Sequence, residues 1–527
     1  MDRRSMFKAT GAAALGSAAA APALAQGNRT LRFIAQIDLT FLDPHFSTAN
    51  ISRNHAYMVY DTLFGLDENY NAKPQMLEGF TTSSDGKQWD LKLRENLWFH
   101  DGEPVRAKDC VASLKRWAVR DAFGGALMRS TDELSAVDDR TIRFKMKRPF
   151  PLLPDALGKF VAMMPAIMPE RLANTDPNTQ VTEIIGSGPF RYIANERLQG
   201  ARNVYQKFDR YVPRADGPAI GTAGPKVVHF DRVVWSTIPD ASTAAGALIN
   251  NEQDWWEYVS HDLSPMVRRA RGITMRVQDE VGTLGMLRPN FLQPPFDNPA
   301  IRKVVMKAID QTACMQAIVG DDRSMYHTPL GFFCPGTPMA TEVGLEPLKG
   351  PRDYEALKQE LIAAGYKGER VVMMVASDYL TMKLQGDVVA DSLKRIGMNV
   401  DYLVTDWGSM LQRRTNRGPV DRGGWSCFIT TWTGTDWVSP AVHISIRGRG
   451  EAGYPGWNNN PRLEELYNAW MDAPDLPTRQ AICRDIQLAC MDECTYYPLG
   501  QYKQASAWRG LRDVQPGFSK FWGVRPA

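Results

Sequence analysis

Between Arg370 and Val404 the hydrophobic period changes twice, and that change restricts the fold more than any other stretch of the chain. Val371, Val372, Met373, Met374 and Val375 form an unbroken apolar run. Such a run reads as a strand covered on both faces, the habit of parallel sheets. Met382, Val389, Leu393 and Ile396 then recur at offsets of zero, seven, eleven and fourteen, which puts them on one side of a helix. Gly397 is the expected stop. Met398, Val400, Tyr402 and Val404 alternate as a half-buried strand. A strand, a helix and a second strand in this order predict a right-handed parallel crossover and hence an α/β fold.

Open sheets of this kind take ligands beyond the carboxyl ends of their strands. Two such ends are Ser377-Asp378-Tyr379 and Asp406-Trp407. A third lies in Trp425–Pro440, WSCFITTWTGTDWVSP. Cys427, Phe428 and Ile429, bounded upstream by Gly423-Gly424 and continued by Thr430-Thr431, read as a strand. The segment is then expected to break into a loop carrying Trp432, Thr435, Asp436 and Trp437. Flat apolar faces beside one fixed carboxylate suit a ligand, and aromatic faces also suit a cation. Arg413 and Arg414 are the nearest candidates for a ligand carboxylate. Neighbours on a helix point apart, and a solvated basic face is the competing reading.

The chain has 527 residues, 44% of them hydrophobic, enough for roughly three domains at ~150 residues each. Its formal charge is +3, and no block of like charges appears. That argues against nucleic acid, which needs a clustered basic footprint. At the N-terminus, Arg3-Arg4-Ser5-Met6-Phe7-Lys8 resembles a twin-arginine export motif. A weakly apolar stretch follows from Ala9 to Ala21, and Ala23-Leu24-Ala25 fits a small-x-small cleavage site. A signal peptide spanning 1–25 is therefore expected, with periplasmic delivery. Seven cysteines, an odd number, leave at least one unpaired. Cys483, Cys490 and Cys494 share one helix face and read as buried small residues.

Other motifs run along the rest of the chain. Ser84-Asp85-Gly86, Leu93-Arg94, Phe99-His100-Asp101-Gly102, Pro104 and Ala107-Lys108-Asp109-Cys110-Val111 follow one another between Glu78 and Trp117. They read as a strand over Trp89–Arg94, a second over Leu97–Phe99, a tight turn, and a helix start. Gly186-Ser187-Gly188-Pro189-Phe190 follows, then Asn251-Glu252-Gln253-Asp254. Asn290 precedes Pro294-Pro295-Phe296-Asp297-Asn298, Ile301-Arg302-Lys303 and Ala308-Ile309-Asp310. Asp297 or Asn298 suits the N-cap of the next helix. Leu361–Tyr366, Ile396–Val400 and Tyr497-Pro498-Leu499 complete the series. Together and in this order they resemble the family 5 extracellular solute-binding proteins, which serve ABC importers of dipeptides, oligopeptides and nickel.

That resemblance implies an α/β, two-lobed periplasmic binding protein fold of the class II type. Mixed sheets flanked by helices would leave a cleft between the lobes, with an extra domain packed alongside. It implies a discontinuous lobe made of 26–60, 190–286 and 500–527, an additional domain over 61–189, and an opposing lobe over 287–499. The hinge would lie near Leu287 and Gly500. Dipeptide-binding members use a Trp-x-x-Asp segment to place a carboxylate on the ligand's α-ammonium. Here the acid after Trp432 arrives one place later, as Asp436, and Asp406 or Asp378 could take the same role. The expected ligand-binding set is Asp436, Trp432, Trp437, Trp407, Asp406, Thr435, Tyr379 and Arg413.

The implied function is capture of a short peptide or amino-acid-like amine by a monomer that needs no cofactor. Delivery would be to a membrane permease driven by ATPase subunits. A metal chelate such as nickel is the alternative ligand, with Asn54-His55 and His443 the only residues to suggest it. An exported enzyme is the rival class. The chain carries no HExxH, no paired CxxC and no GxSxG motif, and its seven histidines are scattered. His100, beside a hairpin Asp-Gly, reads as structural.

Overall fold

The computed structural model describes residues 29–161, 163–218 and 220–527. The twin-arginine motif and the cleavage site after Ala25 lie outside the described residues. Strand Arg370–Ala376, helix Leu380–Arg395 and strand Asn399–Thr405 form the expected crossover. The two strands pair in parallel from Arg370 with Asn399 to Ala376 with Thr405. Gly397 terminates the helix at a φ of +92°, a left-handed conformation that side chains other than glycine rarely adopt. Cys427–Thr433 is the third strand, and it too runs parallel to Arg370–Ala376.

These strands belong to a six-stranded mixed sheet with Thr283–Pro289, Tyr497–Tyr502 and Tyr326–His327. A seven-stranded sheet gathers its strands from distant parts of the chain: Thr30–Ala35, Phe190–Tyr192, Arg202–Lys207, Arg232–Thr237, Trp255–Trp256, Ile273–Val277 and Ala505–Arg509. A separate four-stranded sheet spans Leu77–Thr82, Gln88–Leu93, Thr131–Ala136 and Thr141–Met146. The chain leaves the seven-stranded sheet for the six-stranded one through 278–282 and returns through 503–504. Leu287 and Gly500 therefore lie inside central strands, and the two links between the sheets sit a few residues away from them.

Polar clamps tie the parts together. Arg116 donates two hydrogen bonds to Asp43, at 3.1 and 2.7 Å, and both side chains are fully buried. Removing one partner would strand the other charge, a loss of about 3–5 kcal/mol. His100 bonds the backbone of the Gly186–Gly188 turn at both ring nitrogens. Its pKa is pushed down to about 4 by desolvation, as suits a structural histidine. A Cβ at Gly186 would lie 2.2 Å from the Val59 carbonyl, so glycine is needed where this turn meets the end of helix Asn50–Val59.

Three local expectations change. Leu97–Phe99 is an irregular segment with a single bridge from Trp98 to Pro104, because it has no neighbouring strand to extend along. Asn298, not Asp297, caps helix Pro299–Ala308 by accepting from the Ala300 N–H. Strand Cys427–Thr433 continues through Trp432 and Thr433, because Leu284 and Thr283 pair with them. All seven cysteines are buried and unpaired. No helix among the described residues is long and apolar enough to cross a membrane.

Candidate functional site

Parallel strands from both large sheets direct their carboxyl ends at the same space. On one side, Thr30–Ala35 runs parallel to Arg232–Thr237 and to Trp255–Trp256. Gln36, Ile238 and Tyr258, just past those three ends, line a cavity of about 400 Å³. Asp378 and Tyr379, past the end of Arg370–Ala376 in the other sheet, line the same cavity. A smaller space joins Gln36, Thr48 and Ile51 to Tyr379, Trp407, Arg414, Trp432 and Tyr454. A further cavity of about 640 Å³ shares Thr48, Arg414 and Tyr454 with it. Together these spaces form a cleft at the strand ends, where an α/β protein holds its ligand.

Two hydrogen bonds bridge the cleft directly. The Tyr379 hydroxyl donates to Gln36 Oε1 at 2.7 Å. Arg414 Nη2 donates to Thr48 Oγ1 at 3.3 Å, while Nη1 donates to the Tyr454 hydroxyl at 2.9 Å. Trp407 meets Tyr379 edge-on at 6.3 Å, and Trp432 meets Tyr454 edge-on at 5.6 Å. The Trp432 indole N–H is buried without a hydrogen-bond partner, a donor left over for a ligand.

The tryptophan-and-acid segment divides at Gly434. Thr433 caps the short 3₁₀ turn Gly434–Trp437, and Asp436 accepts from the Thr433 N–H and Oγ1 at 3.1 and 2.7 Å. Asp436 is 2% exposed, and burial raises its pKa against the opposing field of Arg53. Thr435 lines a pocket of about 130 Å³ together with Arg53, Asp279 and Lys520. Burial pushes Asp279 up to about 6 and Lys520 down to about 8. Arg53 lies over the Phe518 ring at 4.4 Å and donates to Asn54 Oδ1. Asn54 in turn donates to Glu257 Oε1 at 3.0 Å. Charges of both signs are thus held out of water where the lobes meet, and their mutual attraction offsets part of the desolvation cost.

Three of the expected residues are engaged within the protein. Trp437 is fully buried, stacked on His443 at 4.9 Å and packed on Tyr496 at 5.0 Å, so it belongs to the core. Asp406 caps helix Trp407–Arg413 through the Ser409 N–H and stands exposed at the rim. Arg413 donates to the Gly424 carbonyl, and its neighbour Arg414 reaches the cleft instead. Arg414 keeps helical dihedrals, so the two side chains diverge as neighbours on a helix do.

Sequence reasoning missed Gln36, Arg53, Glu257, Asp279 and Lys520. The one available signal was the polar run Ser52-Arg53-Asn54-His55 leading directly into apolar Ala56–Val59 of one helix. His55 and His443 are buried singly, bonded to Tyr205 and Tyr496. No group of three or more His, Cys, Asp or Glu able to hold a metal ion occurs among the described residues.

Known proteins share this arrangement. The sequence profile of bacterial extracellular solute-binding proteins, family 5 Middle, matches residues 71–453. A probable peptide ABC transporter periplasmic-binding protein, y4tO of Sinorhizobium fredii, is 35% identical over 96% of both chains. The glutathione-binding protein GsiB of Pectobacterium atrosepticum is 23% identical over 85% of this chain and 84% of its own. Among solved structures, the periplasmic binding protein DppA from Helicobacter pylori, in complex with peptide STSA, superposes with a TM-score of 0.78. It is 19% identical and covers 95% of this chain and 98% of that one. The cleft at paired strand ends, the order of the motifs and these matches carry one conclusion: the chain belongs to the family 5 bacterial extracellular solute-binding proteins.

Proposed function

We propose that this protein is the periplasmic receptor of an ABC importer, and that it captures a short peptide or amino-acid-like amine between its two large lobes. The observation that carries the reading is the convergence of strand ends from two sheets on one aromatic-lined cleft. Trp432, Trp407 and Tyr379 offer apolar walls, and the Trp432 indole N–H is an unused donor. Asp279, which lines the pocket beside Thr435 together with Arg53 and Lys520, is the carboxylate nearest to hand for a ligand ammonium, a charge-assisted contact that is stronger out of water. The relative described as a probable peptide transporter component supports a peptide over a nickel chelate. The protein works by binding and release, with no chemical step.

In this reading the lobes are 26–60 with 190–286 and 500–527 on one side, and about 287–499 on the other. The domain 61–189 packs beside them, and 278–282 with 503–504 are the links that flex. Ligand shifts the population towards the closed form, which docks on the permease. The leader Met1–Ala25 provides export by the twin-arginine route. Native mass spectrometry of protein purified from its own periplasm should find a co-purifying peptide or amine. Small-angle scattering should show compaction when that ligand is restored to stripped protein. A ligand of another class, or no compaction on binding, would overturn the reading.

A further inference from the structure

The cavity of about 640 Å³ is lined by Arg120, Arg414, Arg417, Arg447 and Arg449, and by no aspartate or glutamate. This positive lining comes from separate parts of the fold. Arg120 ends helix Ala107–Arg120, Arg414 and Arg417 follow helix Trp407–Arg413, and Arg447 and Arg449 lie in the loop before helix Pro461–Asp472. Aromatic faces hold several guanidinium groups in place. Arg120 lies over Phe46 at 4.4 Å, Arg414 over Tyr454 at 5.3 Å, and Arg417 over Trp457 at 5.6 Å.

Their hydrogen-bonding capacity is not exhausted within the protein. Arg447, 6% exposed, pairs through Nε and Nη2 with Glu464, while its buried Nη1 has no hydrogen-bond partner. The Nε atoms of Arg120 and Arg414 are likewise buried without partners. Among the described residues, no carboxylate lies within ion-pair distance of Arg120, Arg414 or Arg449. Arg417 pairs with Glu451 only at the surface. The Arg449 pKa is lowered, first by desolvation and then by the positive field of Arg447. Guanidinium groups clustered around one cavity, Arg447 buried, Arg120 and Arg414 half-buried, repel one another unless an anion joins them, and their planar forks match carboxylate and phosphoryl oxygens in pairs.

We infer that this cavity is an anion subsite: the transported solute carries at least two negative charges, as carboxylates or a phosphoryl group, on the end that enters it. The inference rests on the interlobe-cleft reading and deepens it, because Arg414 and Tyr454 line both this cavity and the aromatic space beside Trp432. An extended solute could therefore place an apolar or amine end at the tryptophans and its anionic end among the arginines.

Isothermal titration of stripped protein tests this with five probes: Ala-Ala, Lys-Lys, Glu-Glu, Ala-phosphoserine and the non-peptide tricarballylate. At least one of the three anionic probes should bind tenfold or more tightly than Ala-Ala, and Lys-Lys should bind more weakly still. The preferred anion's affinity should fall with added salt. Arg449→Gln should lower that affinity at least tenfold while leaving the unliganded melting temperature in place, and Arg120→Gln, which also gives up hydrogen bonds to Asn178 and to the Phe46 carbonyl, should lower it at least tenfold too. Comparison of Glu-Glu with Ala-phosphoserine distinguishes carboxylate from phosphoryl recognition. Tricarballylate binding without binding of any dipeptide would uphold the anion subsite and defeat the peptide reading. Equal affinity for Ala-Ala and the anionic dipeptides would defeat the subsite and leave the peptide reading standing. The subsite also fails if no anionic probe binds, or if neither arginine variant changes the affinity.

Discussion

Glu257 shows how a single side chain couples the cleft to pH. It is 2% exposed, accepts from the Gln36 N–H at 2.9 Å and from Asn54 Nδ2, and has its pKa raised to about 7 by burial. Between the ordinary glutamate value near 4.5 and 7, the folded protein holds a proton that the unfolded chain has lost. The folded state binds more protons there, so this residue's contribution to stability falls as pH rises through that window. Above pH 7 the cost is complete, about 3 kcal/mol. Urea unfolding of wild type and Glu257→Gln at pH 4 and pH 8 isolates it. Wild type should lose about 3 kcal/mol relative to the variant between the two pH values. Parallel pH profiles would show that Glu257 titrates alike in the folded and unfolded states and that its burial does not shift it. The same residue scale explains why this group could not be read from the sequence. Glu257 sits among Trp255, Trp256 and Tyr258 with no local sign of its role, and its partner Asn54 lies 203 residues away.

At the scale of elements, the loop after Trp432 is fastened to one of the links between the sheets. The Gly434 N–H donates to the Gly282 carbonyl at 2.8 Å. A Cβ at Gly434 would stand 2.3 Å from the Val281 carbonyl and 2.7 Å from Cys334 Sγ. Gly434→Ala should therefore push the loop away from 278–282 and destabilise the protein by about 1–3 kcal/mol, the usual cost of overpacking. Denaturant titration measures this, and an unchanged midpoint would mean that the contact yields freely. The elements themselves were largely legible. Val371–Val375, the Met382–Ile396 stripe and the Met398–Val404 alternation each carry their own period, so the crossover could be read without any distant partner. The end of strand Cys427–Thr433 could not, because pairing with Thr283 and Leu284 sets it. Trp432 and Trp437 looked equivalent in sequence. One turn of 3₁₀ helix between them leaves the first beside the cleft and seats the second against His443. Arg413 and Arg414 diverge as neighbours on a helix must; which of the two faces the cleft is set by how that helix packs on the sheet, and the sequence does not carry it.

For the whole molecule, the cleft-spanning hydrogen bonds set how readily the lobes part. The Tyr379 hydroxyl reaches Gln36 across 343 residues of sequence, and its ring also packs against Trp407. Tyr379→Phe keeps the ring and removes only the bridge. A hydrogen bond of this kind contributes about 0.5–1.5 kcal/mol net, so its loss should move the unliganded population towards the open form by roughly two- to tenfold. Ligand affinity falls by the fraction of molecules no longer competent to bind. The variant should then weaken every ligand by a similar factor, whatever its charge, and small-angle scattering should give a larger radius of gyration without ligand. That pattern differs from the effect expected of Arg449→Gln, which acts on anionic solutes and leaves the unliganded shape alone. If Tyr379→Phe weakened one ligand selectively and left the unliganded scattering unchanged, the hydroxyl would be a direct ligand contact and not a latch between the lobes.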